Sequence, residues 1–257
     1  MEQGAKEAIA AFRRSHDELV TFIEKLEPED LKKPSGASEW SVAQVLSHLG
    51  SAAEIGLDTF AAGKADSDAA PAVWDRWNAM SPSEQATNFV AAEGRLVEAL
   101  EALDDDTLAT RKIDLGFLPA PVDIAFVVKM RLSEVGLHRW DVEVAFDPAA
   151  TVAGSIVPFV LENLPMFAGF FAKPTGTTGR VAFETSGPAG SYLLELRGDG
   201  ATLSEGVDGP AGTRIGLPAE ALLRLTGGRL GPDHTPPSVK VEGDLSLDDL
   251  RRTFPGY

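Results

Sequence analysis

Apolar residues in the first 146 positions recur every three to four residues, the period of amphipathic helices packed against one another. Segment one, about Gln3 to Leu26, places Ala8, Phe12, Leu19, Phe22, Ile23 and Leu26 on one stripe and stops before the polar run at 27–30. Segment two follows a Pro34-Ser35-Gly36 turn, with Ser41 and Gln44 spaced as a capping box and Val42, Val45, Leu46 and Leu49 as its buried stripe. It runs to Ala62, where Gly63 and a polar, Ala-rich loop take over. Segment three opens at Ser81–Glu84, with Pro82 suited to a first helical turn, and carries Phe89, Leu96, Val97, Leu100 and Leu103. Segment four starts around Pro121–Asp123 and continues to about Phe146. Four long amphipathic segments of comparable length predict a four-helix bundle.

The texture changes at Asp147–Ala150, which divides the chain into an expected bundle at 1–149 and a second domain at 150–257. An apolar helix is expected from Val152 to Phe171. Short alternating runs follow, with strands expected at 180–185, 192–197, 201–205 and 213–217, and Gly198-Asp199-Gly200 as a hairpin turn. The run 218–226 reads as a helix with Pro218 at its start and two glycines after its end. A last strand at 238–243 and a short helix at 246–252 complete a small α+β domain.

The 257 residues are 44% hydrophobic and 24% charged, proportions of an ordinary globular protein with a sizeable core. With 39 acidic against 23 basic residues the net charge is −16, which argues against nucleic acid or an anionic membrane as partner. A small anionic substrate needs only one or two arginines and stays compatible with that charge. No run approaches the ~18–20 apolar residues of a membrane span, and the N-terminus lacks an apolar signal core. With no cysteine at all, no disulfide holds the fold. A cytosolic location is expected, and thiol chemistry would need a thiol from outside.

Only four histidines are present, and two of them lie in apolar helical contexts. His48 sits in Trp40–Gly50 (WSVAQVLSHLG), and His138 follows Glu134 by four residues in Arg131–Asp141 (RLSEVGLHRWD). Residues at i and i+4 share a helix face, so Glu134 and His138 can converge on one ion, with His48 arriving from another helix. Two imidazoles and a carboxylate with an open position suit catalytic zinc and also non-haem iron. On a helical wheel centred on Glu134, Val127, Met130, Leu137, His138, Asp141 and Ala145 fall within about 60°. Asp141 is placed to accept the second imidazole N–H of His138 and set its tautomer. A surface Glu134–His138 ion pair and a lone core His48 are the plainer readings of each half. His16 and His234 read as surface residues, the acidic run 104–106 as a solvated helix end, and the tryptophans as packing residues. Nucleophile elbows, phosphate-binding glycine loops and HisGluXaaXaaHis motifs are absent from the sequence.

The two histidine-bearing motifs, at that separation and in that order, resemble the second- and fourth-helix signatures of DinB-like bundles of the mycothiol-dependent maleylpyruvate isomerase family. The resemblance spans the whole chain and implies a DinB-like four-helix bundle followed by a sterol-carrier-like α+β domain. It further implies that His48, Glu134 and His138 bind a divalent metal, zinc first with nickel or iron as alternatives. That metal would activate mycothiol, a low-molecular-weight thiol cosubstrate, for isomerase or S-transferase chemistry on a small electrophile. The family's second-domain arginine corresponds most closely to Arg229 in Arg224–Arg229 (RLTGGR), where Arg224 replaces a tryptophan and an extra glycine intervenes. The rival readings are an apolar-ligand binding protein with a structural or degenerate metal site, a metal-dependent hydrolase, and an iron-dependent oxidative enzyme.

Overall fold

The computed structural model describes residues 2–37 and 39–256. The chain divides into two compact units, Met1–Asp147 and Pro148–Tyr257. None of its helices, among the described residues, is long and apolar enough to cross a membrane.

The first unit is built on helices α1 (Glu2–Ile23), α2 (Val42–Ala62), α4 (Pro82–Glu101) and α6 (Ile124–Glu143), with α3 (Ala70–Asn78) and α5 (Asp105–Thr110) between them. α2 packs on α4 and α1 on α6, while α1–α4 and α2–α6 contacts close the bundle. The periodic stripes supply its interior: Phe12, Leu19, Leu46, Leu49, Phe89, Val97, Leu132 and Val135 are all fully buried. The helix starts follow local chemistry. Ser41 and Gln44 form a reciprocal capping box on α2, Ser81 and Glu84 form another on α4, and the Asp123 carboxylate accepts from Phe126 N at 2.8 Å.

Three features of this unit depart from the sequence reading. The Ala-rich stretch after Gly63 contains α3, whose Trp77 is buried against α2. A Cβ at Gly50 would lie 2.2 Å from the Trp77 ring, so only glycine lets the indole this close to α2. The acidic run at 104–106 begins a helix rather than ending one: Asp104 caps α5 through Thr107 N at 2.7 Å, and Asp105 and Asp106 occupy its first turn. Finally, a two-stranded ribbon, β1 (Lys112–Ile113) with β2 (Val122–Asp123), leads directly into α6.

In the second unit α7 (Val157–Phe171) precedes β3 (Thr178–Ser186), β4 (Gly190–Arg197), β5 (Ala201–Glu205) and β6 (Thr213–Pro218). α8 (Ala219–Thr226), β7 (Lys240–Gly243) and α9 (Leu247–Thr253) complete it. α7 starts five residues later than the apolar run at Val152, with Pro158 in its first turn. The sheet order is β5-β4-β3-β6-β7, with β3 and β6 parallel and the other pairs antiparallel. Register aligns Leu203, Leu194, Val181 and Thr213 in one buried row across four strands. α7 packs on β5, and α8 on β3 and β6, so the helices cover the sheet's apolar residues. The architecture is a helical bundle followed by a small α+β unit.

Candidate metal centre

The Ser41 capping box starts α2 so that His48 falls in its second turn, facing α6. Asp123 starts α6, and three turns later Glu134 and His138 share the face turned toward His48. One donor atom from each of His48, Glu134 and His138 lies within 4.8 Å of the others. His48 Nε2 is 2.6 Å from Glu134 Oε1, and His138 Nε2 is 3.4 Å from that same oxygen. The imidazole rings stand edge to face with centroids 4.7 Å apart. Among the described residues this is the cluster of His, Asp and Glu groups that could hold a metal ion.

The donor set suits a divalent metal. Ligands of a tetrahedral zinc with bonds near 2.1 Å stand about 3.4 Å apart, close to the spacing of His138 Nε2 and Glu134 Oε1. His138 is 6% exposed, while the His48 and Glu134 side chains are 32% and 40% exposed, which leaves the centre open on one side. Asp141 is fully buried, and its Oδ2 lies 2.8 Å from His138 Nδ1. An ionised carboxylate only accepts hydrogen bonds, so Nδ1 of His138 carries a proton toward Asp141, and Nε2 is the ring nitrogen on the Glu134 side. Burial works to raise the Glu134 carboxyl, but hydrogen bonds and charge interactions with His138 and His48 outweigh it, holding it well below the usual carboxylate range.

The wheel places Glu134 in an apolar stripe, but Val127, Met130 and Leu137 are only half-buried. The fully buried side of α6 is formed by Ile124, Val128, Leu132, Val135 and Val142, of which Val128, Leu132 and Val135 lie about 100° or more around the helix from Glu134. The three residues therefore sit at the margin of the core rather than inside it.

Trp40, expected as a packing residue, is 39% exposed and belongs to the site. Its ring lies 5.2 Å from that of His48 and stacks at 21° on that of His138, 6.1 Å away. The turn before it is pinned in place. Ser35 N and Oγ both donate to Trp40 O, and Gly36 N donates to Asp141 O at 2.8 Å. A Cβ on Gly36 would meet Val144 Cγ1 at 2.8 Å, so the glycine allows this turn to close on α6. The sequence signal for Trp40 is its position immediately before the helix cap, where an apolar side chain folds back over its own helix.

The other candidates fall elsewhere. His16, expected at the surface, is 5% exposed and faces Glu93 in the bundle interior. His234, also expected at the surface, is half-buried in a single 3-10 turn, and its carbonyl accepts from Arg224 Nη1 at 2.7 Å. Arg229 belongs to the second unit, is buried, and donates from Nη1 to Gly227 O at 2.6 Å. Its neighbour Arg224 forms a buried ion pair with Glu220.

Comparison with solved structures finds seven matching chains. Among them, a crystal structure of the mycothiol-dependent maleylpyruvate isomerase shares this fold at TM-score 0.64 and 12% identity, covering 95% of each chain. A histidine-to-alanine mutant of the mycothiol-dependent maleylpyruvate isomerase gives TM-score 0.66 and 13% identity, also over 95% of each chain. No curated protein matches by sequence. The family model of the mycothiol maleylpyruvate isomerase N-terminal domain matches residues 12–143, more than half of the chain, and the chain therefore belongs to that family.

Proposed function

We propose that this protein is a cytosolic metal-dependent enzyme that uses mycothiol, or a similar small thiol, on a small electrophilic substrate as an isomerase or S-transferase. The observation that carries this reading is the convergence of His48, Glu134 and His138 on one partly open point. Those three residues would hold a divalent metal, with zinc the first choice for two imidazoles and a carboxylate. The chemistry such an ion would supply there is Lewis acidity, which would favour the thiolate form of a small thiol at neutral pH. The absence of cysteine from the chain is consistent with a borrowed thiol.

The chain's own groups shape the site around that chemistry. Asp141 holds the Nδ1 proton of His138 and fixes its ring. Trp40 lies against both imidazoles on one side. For isomerisation, the thiol sulfur adds to a conjugated carbon–carbon double bond, and the electron pair moves onto the substrate carbonyl. Rotation about the resulting single bond and expulsion of the sulfur regenerate both thiol and double bond. For transfer, the sulfur displaces a leaving group and stays bonded to carbon. The family resemblance alone makes Arg229, in the second unit, a candidate to bind a carboxylate.

The test is elemental analysis of wild type and His48→Ala, followed by incubation with mycothiol and an electrophile. Wild type should hold one divalent metal per chain and turn over the thiol reaction, and His48→Ala should hold none. Full metal retention by His48→Ala would overturn the site. Stoichiometric metal without thiol-dependent turnover would point instead to a hydrolase that uses water.

A further inference from the structure

One turn below the candidate metal centre lies a buried charged cluster that the proposed chemistry does not use. Glu93 on α4 is fully buried, and the Arg131 side chain on α6 is 10% exposed. Arg131 Nη2 donates to Glu93 Oε1 at 2.7 Å and to the backbone carbonyl of Leu49 on α2 at 2.8 Å. The other Glu93 oxygen faces His16 Nδ1 on α1 at 3.4 Å. The cluster thus touches all four long helices of the bundle.

Its position in the sequence ties it to the centre. Arg131 precedes Glu134 by three residues, about 4.5 Å along the same face of α6. Leu49 directly follows His48. The guanidinium therefore grips α2 beside one metal ligand while its own helix carries the other two. A buried ion pair is a poor device for stability alone, because desolvation offsets most of its attraction and apolar residues of similar volume do as well or better. What it supplies that an apolar contact cannot is a fixed distance and register, since its hydrogen bonds are directional.

We propose that Arg131, anchored by Glu93, is a positioning residue that sets the spacing of His48 on α2 against Glu134 and His138 on α6, with His16 steadying Glu93 from α1. This inference rests on the reading of the three residues as metal ligands. An apolar pair in place of the charges leaves the bundle folded and lets α2 shift against α6, which loosens the ligand geometry.

The experiment titrates metal-free protein with Co²⁺ alone, reading affinity and the visible absorption of the bound ion, alongside thermal unfolding. The variants are Glu93→Met/Arg131→Met and Glu93→Gln/Arg131→Met, with His48→Ala as control. A positioning role predicts an unfolding temperature close to wild type, Co²⁺ affinity lowered by about tenfold or more, and an altered absorption band. Should one double variant fail to fold, the other is read in the same way. Unchanged Co²⁺ affinity and spectrum in a folded double variant would overturn the proposal. Failure of both to fold would also overturn it, by making the cluster a requirement of folding. Wild-type Co²⁺ binding by His48→Ala would sink the metal site itself, an outcome distinct from failure of the brace.

Discussion

The buried Asp141 carboxylate lies 2.8 Å from Nδ1 of His138, three residues earlier on the same helix. The contact makes the imidazole a better ligand through its far nitrogen, because the proton is held on the near one. Asp141→Asn should leave the helix intact and weaken metal binding by 10–100-fold, the usual cost of losing such a partner. Competition with a chromogenic chelator measures it directly, and wild-type affinity in the variant would remove Asp141 from the site.

Trp40 should report on the site, since its ring is stacked on His138 and close to His48. Binding of Co²⁺ or Ni²⁺ to metal-free protein is expected to quench tryptophan emission, and Trp40→Phe should lose most of that quench while still binding the ion. If Trp74, Trp77 or Trp140 carried the signal, the variant would quench like wild type.

The carboxyl of Glu134 titrates below the usual carboxylate range in the folded chain, as its imidazole partners overcome the effect of burial. Its folded-state pKa is depressed, so its contribution to stability is present above the unfolded-state pKa and is lost as pH falls through the folded value. In metal-free protein, thermal unfolding followed from neutral to acidic pH should show this loss. Glu134→Gln should flatten that part of the profile, whereas an identical slope in both proteins would show that Glu134 takes no part.

The contact between Gly50 and Trp77 makes a stability prediction that does not depend on metal binding. A methyl group at position 50 would overlap the indole, with 2.2 Å to the nearest ring atom. Gly50→Ala gains helix propensity but must displace a buried ring, and overpacking of this kind costs about 1–3 kcal/mol. Chemical denaturation should show a net loss, and a stabilised variant would mean that α3 yields easily.

Much of the candidate site was legible because its signals are local. Glu134 and His138 are one helical turn apart in any helix that contains them, and Asp141 follows at the next turn. The caps at Ser41, Ser81 and Asp123 likewise depend on side chains within three residues of the atoms they bond. The same locality explains the sheet, since alternation and turn residues mark strands such as β5 without reference to their partners. What stayed hidden depends on contacts between segments. α3 is short, only Ala70 and Trp77 of it are buried, and it is held by packing against α2 rather than announced by a long periodic stripe of its own. His16 has the spacing of an ordinary helix residue, and only the approach of Glu93, 77 positions later, buries it.

By itself, then, the amino-acid sequence determined the periodic stripes, the helix starts and the pairing of Glu134 with His138, because each is a matter of spacing along one element. The tertiary structure decided which side of α6 faces the core, that His48 reaches Glu134 from 86 positions away, and that Trp40 closes over both imidazoles. It also placed Arg131 and Glu93 beneath them. The physical reason is that a helix's period leaves its rotation and neighbours open until packing chooses them, and a metal centre exists only where those choices make separate donors converge.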